Sequence, residues 1–140
     1  MAAGAQSRRD VRVRQSASYK PTGWSHVTPR IIVRNPKALV GFLRKVFGAK
    51  GRYSADGPTE LRIGDSIVMI SEAGIRRVYN ALLYVYVPDT DAVYRRAVKA
   101  GARSIEAPGD MPYGDRRCMF DDRFGNTWQV ATRLPRRRRA

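Results

Sequence analysis

The chain repeats itself. An apolar strand pattern, an Asn or Asp next to a Pro, an amphipathic helix and a Gly-Ala exit run from Thr28 to Ser71, and again from Leu82 to Ala131. Asn35 to Gly48 answers Asp89 to Gly101, and Gly48-Ala49 answers Gly101-Ala102, at an offset of roughly 54 residues. Two copies are too few for a solenoid, in which three or more units stack. They suit an α+β fold of two βαβββ modules, 27–72 and 80–132, in which each half covers the other.

Local chemistry supports each element. Ile31-Ile32-Val33 is β-branched and favours extended backbone, so Val27 to Arg34 reads as the first strand. Asn35-Pro36 pairs an N-cap with a first-turn proline. Leu39, Phe42, Leu43 and Val46 follow as one helical stripe, and Gly48 ends it. Lys50–Ser54 reads as a weak strand, and Glu60–Ile63 and Ser66–Ile70 flank a Gly64-Asp65 turn. In the second copy Ala81–Val87 is the strand, and Ala92, Val93, Ala97 and Ala100 form the inner stripe of a helix closed by Gly101. Ser104–Glu106, Arg116–Phe120 and Thr127–Thr132 complete it. Asp110–Asp115 reads as a loop.

One domain is expected from 140 residues. No apolar run approaches the roughly 20 residues of a membrane-spanning helix. A single cysteine, Cys118, excludes an internal disulfide and suits a reducing, cytoplasmic setting. The net charge is +15, and its placement matters. Residues 1–25 carry five basic residues against Asp10, and 133–140 carry five basic residues and no acid. These stretches read as a flexible basic arm and an Arg-rich tail around a domain at 26–132. They suit non-specific polyanion contact, but no base-reading motif accompanies them.

Three segments together resemble the vicinal oxygen chelate superfamily, the glyoxalase, bleomycin-resistance and dioxygenase fold. They are Val27-Thr28-Pro29 through Gly48-Ala49, Glu60 through Ser66, and Tyr113-Gly114-Asp115-Arg116 through Asp122-Arg123-Phe124-Gly125-Asn126-Thr127-Trp128. Arg123 stands where the family pattern has Pro. The resemblance implies curved mixed sheets, each with a cleft on its concave face, and a homodimer. It also implies four metal-ligand positions, which carry over to Thr28, Met69, Leu82 and Gln129. Leu82 has no donor atom and Met69 has only a soft thioether. The expectation is therefore no metal and no cofactor.

Strand alternation sorts the cleft residues. Arg30, Glu60, Arg62, Ile67 and Met69 share the expected cleft face in the first module. Tyr84, Tyr86 and Gln129 share it in the second, with Arg116 at the strand mouth. Aromatic walls with convergent polar groups describe a small-molecule site, and arginine forks favour carboxylate or phosphate. This points to a planar or aromatic anionic ligand. Arg30–Glu60 or Arg62–Glu60 ion pairs filling an empty cleft are the plain alternative. Cys118 reads as a buried strand residue, Asp122 as a turn-former, and His26 as structural. Three functions stay open: a metal-free binding protein of the bleomycin-resistance type, a lyase, isomerase or dioxygenase with an atypical site, and a dimeric scaffold with polycationic tails.

Overall fold

A computed structural model describes residues 19–136. The basic arm falls mostly, and the Arg-rich tail partly, outside those residues.

The first module holds β1 (Arg30–Val33), α1 (Pro36–Phe47), β2 (Thr59–Ile63) and β3 (Ser66–Glu72). The second holds β4 (Leu82–Tyr86), α2 (Thr90–Lys99), β5 (Arg103–Asp110), β6 (Asp115–Asp121) and β7 (Thr127–Arg133). The sheets run β1-β3-β2 and β4-β7-β6-β5. In each, the first strand lies parallel to the last, and every other pairing is antiparallel.

The helix boundaries follow from their caps. The Asn35 side chain accepts from Ala38 N at 3.2 Å, and Asp89 accepts from Ala92 N at 3.1 Å. Each satisfies a backbone donor that the first turn leaves free. Gly48 adopts the left-handed conformation at φ 65° that closes α1. In α2 the cap is Ala100, one residue before Gly101.

Three elements differ from expectation. Lys50–Ser54 forms no strand, only a bridge between Lys50 and Arg62. Gly51 turns the chain away at φ 133°, and its missing side chain leaves room for the Glu60 carbonyl. In contrast, β5 runs on through Pro108 and Gly109 to Asp110. It is an edge strand, where a proline costs no ladder bond, and its register shifts mark bulges. Arg133, assigned from sequence to the tail, is the last residue of β7.

A single core joins the modules. Leu39, Phe42, Leu43 and Val46 of α1 meet Cys118, Phe120, Trp128 and Val130 of the second sheet. Phe42 packs edge-on against Phe120 with centroids 6.3 Å apart, and Phe47 lies 5.1 Å from the Trp128 ring. The inner faces of both sheets line this core, so their outer faces look away from it. That division places the candidate site.

Candidate functional site

The outer face of the second sheet carries a connected polar network. Alternation along β4 sends Leu83 and Val85 toward the core and leaves Leu82, Tyr84 and Tyr86 exposed. Register then builds rows across the sheet. Tyr84 stands opposite Gln129, which stands opposite Met119; Tyr86, Ala131 and Arg117 form the next row. The turn between β5 and β6 is tied by Gly114 N donating to the Met111 carbonyl at 3.0 Å, and it carries Tyr113.

The three tyrosines meet over Asp115, which is only 4% exposed. The Tyr84 and Tyr86 hydroxyls both donate to Asp115 Oδ2, at 2.7 and 2.8 Å. The Tyr84 and Tyr113 hydroxyls lie 3.0 Å apart. Arg117 donates through Nη1 to the Tyr113 hydroxyl at 3.1 Å. Its Nε and Nη2 grip Glu106 in a two-pronged ion pair at 3.0–3.2 Å. The Tyr84 and Tyr86 rings pack as a tilted aromatic pair, with centroids 5.4 Å apart and planes inclined by 57°.

The electrostatics fix protonation. Burial, then donation to Asp115, pushes the Tyr84 phenol well above its ordinary value. Tyr86 is raised chiefly by its hydrogen bond to Asp115. Both phenols therefore stay protonated at neutral pH and act as donors, not as bases or nucleophiles. Pairing with Glu106 raises Arg117 and keeps it charged.

Arg116 is not part of this network. β6 begins at Asp115, so Arg116 shares the inner side with buried Cys118 and Phe120. Its guanidinium bonds Asp91 at 2.8 and 3.1 Å and Asp110 at 3.0 Å. It anchors the first turn of α2, and holds the Asp91 carboxyl below its usual range. Arg117, one residue on, faces outward in its place. Tyr113, Asp115, Arg117 and Glu106 were all missed from sequence. Alternation from buried Cys118 sets these faces, with Arg116 on the core side and Arg117 on the outer side.

On the first sheet, Arg30, Met69 and Glu60 align in one row, and Ile67 and Arg62 in the next. The expected ion pairs with Glu60 do not form among the described residues. Arg30 reaches the Ser71 hydroxyl at 3.3 Å, and Arg62 reaches the Gly23 carbonyl at 3.5 Å. The residues expected at the cleft of each module thus lie on two separate sheets.

The four family ligand positions carry a poor set of donors. Thr28 and Met69 belong to the first module, Leu82 and Gln129 to the second. A hydroxyl, a thioether, an alkyl group and an amide do not make a site for a hard or borderline divalent ion. Among the described residues, no three His, Cys, Asp or Glu gather into an alternative one. His26 Nε2 is hydrogen-bonded to the Tyr19 hydroxyl. Cys118 is fully buried, which pushes its thiol up to about 12 and makes it a poor nucleophile. Asp122 is the turn-former, accepting from Phe124 N and Asn126 N at 2.7 and 3.1 Å.

The model of the Glyoxalase/Bleomycin resistance protein/Dioxygenase superfamily matches residues 23–130. The chain belongs to that superfamily. Among relatives, an uncharacterized protein of Mycobacterium bovis is 27% identical over 74% of this chain and 80% of its own length. TioX from Micromonospora sp. ML1 superposes with a TM-score of 0.66 at 25% identity, covering 79% of this chain and 99% of TioX. The fosfomycin resistance protein FosX from Mesorhizobium loti gives 0.57 at 25% identity, covering 81% and 93%. Glyoxalase-superfamily topology accounts for the paired modules and the parallel first-to-last strand pairing in each. Among the described residues no helix is long and apolar enough to cross a membrane.

Proposed function

We propose that this superfamily member binds a small molecule without a metal and without turning it over, in the manner of a bleomycin-resistance protein. One observation carries the reading: exposed Tyr86 and Tyr113 line, with Asp115, Arg133 and Arg136, a cavity region of about 720 Å³, while the family's ligand positions hold Thr28, Met69, Leu82 and Gln129. Such a volume suits a drug-sized ligand, and aromatic walls with a few fixed polar groups suit a planar one. Gln129, beside Tyr84, supplies an amide contact. Arg30 and Arg62 are exposed and form no ion pair among the described residues. They supply the anion-binding wall, with Glu60 and Met69 beside them.

The two walls lie on separate sheets of one chain. A homodimer that sets the first sheet of one copy against the second sheet of the other closes both walls on one ligand. The free edge of β4 supports such pairing. The Arg-rich terminal stretches add salt-sensitive polyanion contact. A cytoplasmic setting fits the lone thiol of Cys118.

The test is a thermal-shift series on the full chain with divalent metals and with planar aromatic acids, beside light scattering for mass. A ligand that binds the folded state raises the melting point by mass action. Stabilisation by an aromatic acid, insensitive to chelator and lost in Arg30→Ala, supports the reading. Chelator-reversible stabilisation by a metal at micromolar concentration overturns it.

A further inference from the structure

The helix side of the domain, away from the tyrosine face, carries cations that the fold does not use. Helix α1 has no acidic residue. Lys37, Arg44 and Lys45 stand exposed on the side opposite its buried stripe, and their side chains form no hydrogen bond or ion pair among the described residues. α2 packs beside α1, with Arg96 Nε donating to the Val46 carbonyl at 3.1 Å. Lys45 also lines a groove of about 300 Å³ with Ala38 and Gly41 of α1, Ala100 at the end of α2, and Arg123 and Phe124 of the β6–β7 turn. Arg123 then lines a second groove, of about 630 Å³, with Arg103 and Ser104 of β5. The two grooves thus meet at Arg123. The carboxylates around them are already engaged. Asp91 holds Arg116, Asp121 holds Arg103, and the buried Asp122 takes four donors. Lys45 and Arg123 keep their charge uncompensated.

The backbone of Arg123 points the same way. It is the one described non-glycine residue at positive φ, 70°, a conformation that glycine adopts at less cost. Backbone strain of this kind clusters at functional sites. Here the strained residue presents an exposed, unbonded guanidinium at the junction of two grooves. A groove with cations along it and a half-buried aromatic ring, Phe124, in its wall matches the way proteins hold one nucleic-acid strand, with phosphates on the cations and a base on the ring. An anionic membrane fits less well, because Val98 is the only large apolar side chain exposed on either helix. We propose that Lys45, Arg123 and Arg103, extended along α1 by Lys37 and Arg44, bind the sugar-phosphate backbone of single-stranded nucleic acid. This site belongs to the folded domain and is distinct from the Arg-rich terminal stretches.

The experiment measures fluorescence anisotropy of a labelled oligothymidylate with the full chain over a range of salt. Wild type binds with an affinity that falls as salt rises. Lys45→Ala and Arg123→Gly each weaken binding roughly three- to tenfold at low salt, and each lowers the slope of log K against log salt by roughly 0.7. Both side chains are exposed, and Arg123→Gly relieves strain, so the loss is not one of folding. Arg62→Ala removes the same charge from the outer face of the first sheet, and leaves affinity within about twofold. Equal losses in all three variants reduce the binding to net charge and overturn the site. Binding lost when Arg136 to Arg139 become Ala, but unchanged in Lys45→Ala and Arg123→Gly, belongs to the tail and overturns it too. Tighter binding to a duplex than to the single strand overturns the groove. Binding to phosphatidylserine vesicles without binding to the strand overturns the nucleic-acid partner.

Discussion

The Asp122 carboxylate accepts the indole N–H of Trp128 at 3.0 Å, with neither residue more than 2% exposed. The same carboxylate takes Asn126 Nδ2 at 2.7 Å, and so ties the β6–β7 turn to the core. Asn126 in turn receives Ala81 N at 3.0 Å, fixing the approach to β4. A single acid therefore sets the angle at which the tyrosine strand enters its sheet. Asp122→Ala strands several buried donors, and the expected loss is on the order of 3 kcal/mol, read by urea denaturation. The Tyr84 and Tyr86 signals should move in the same variant.

Phe120 fills the space between the modules, against Phe42 and Phe47. Phe120→Ala should cost about 3–5 kcal/mol. The loss should appear as one unfolding transition followed by both circular dichroism and Trp fluorescence. Two separated transitions would show that the modules do not share a core.

Arg123 is the one described non-glycine residue with positive φ, at 70°. Its side chain is exposed and forms no hydrogen bond among the described residues. A left-handed backbone costs an L-residue about 1–2 kcal/mol, and glycine gives part of that back as unfolded-state entropy. Arg123→Gly should stabilise by about 0.5–1 kcal/mol, measured as a raised urea midpoint at unchanged slope.

Tyr84 makes alkaline stability testable. Its folded phenol lies above the unfolded value of 10.0. The unfolded chain thus loses this proton first, so the contribution is full below pH 10.0 and declines as pH rises beyond it. Wild type should lose stability more steeply above that pH than Tyr84→Phe. Parallel slopes in the two denaturation series would count against the Asp115 bond.

Much of the fold can be read from the chain because local causes act there. Asn35 and Asp89 cap the helices, Gly48 ends the first, and Gly64-Asp65 turns between β2 and β3. The apolar stripe of α1 lies buried as its spacing predicts, whereas Ala100 of the second stripe is exposed. The outward placement of Tyr84 and Tyr86 also follows from alternation alone, because the start of β4 was placed within one residue.

The site network was not legible, for two physical reasons. First, the groups around Asp115 come from β4 and from the turn before β6, which only the fold brings together: the Tyr84 and Tyr86 hydroxyls on its carboxylate, and Tyr113 on Tyr84. Second, Glu106 lies in an edge strand that continues through a proline, so its position opposite Met119 depends on bulges rather than on spacing. The repeat determined the two modules and their helices. Only tertiary packing decided that both inner faces share one core. Burying the apolar surface of both helices against both sheets favours that arrangement, and no local signal in either copy encodes it.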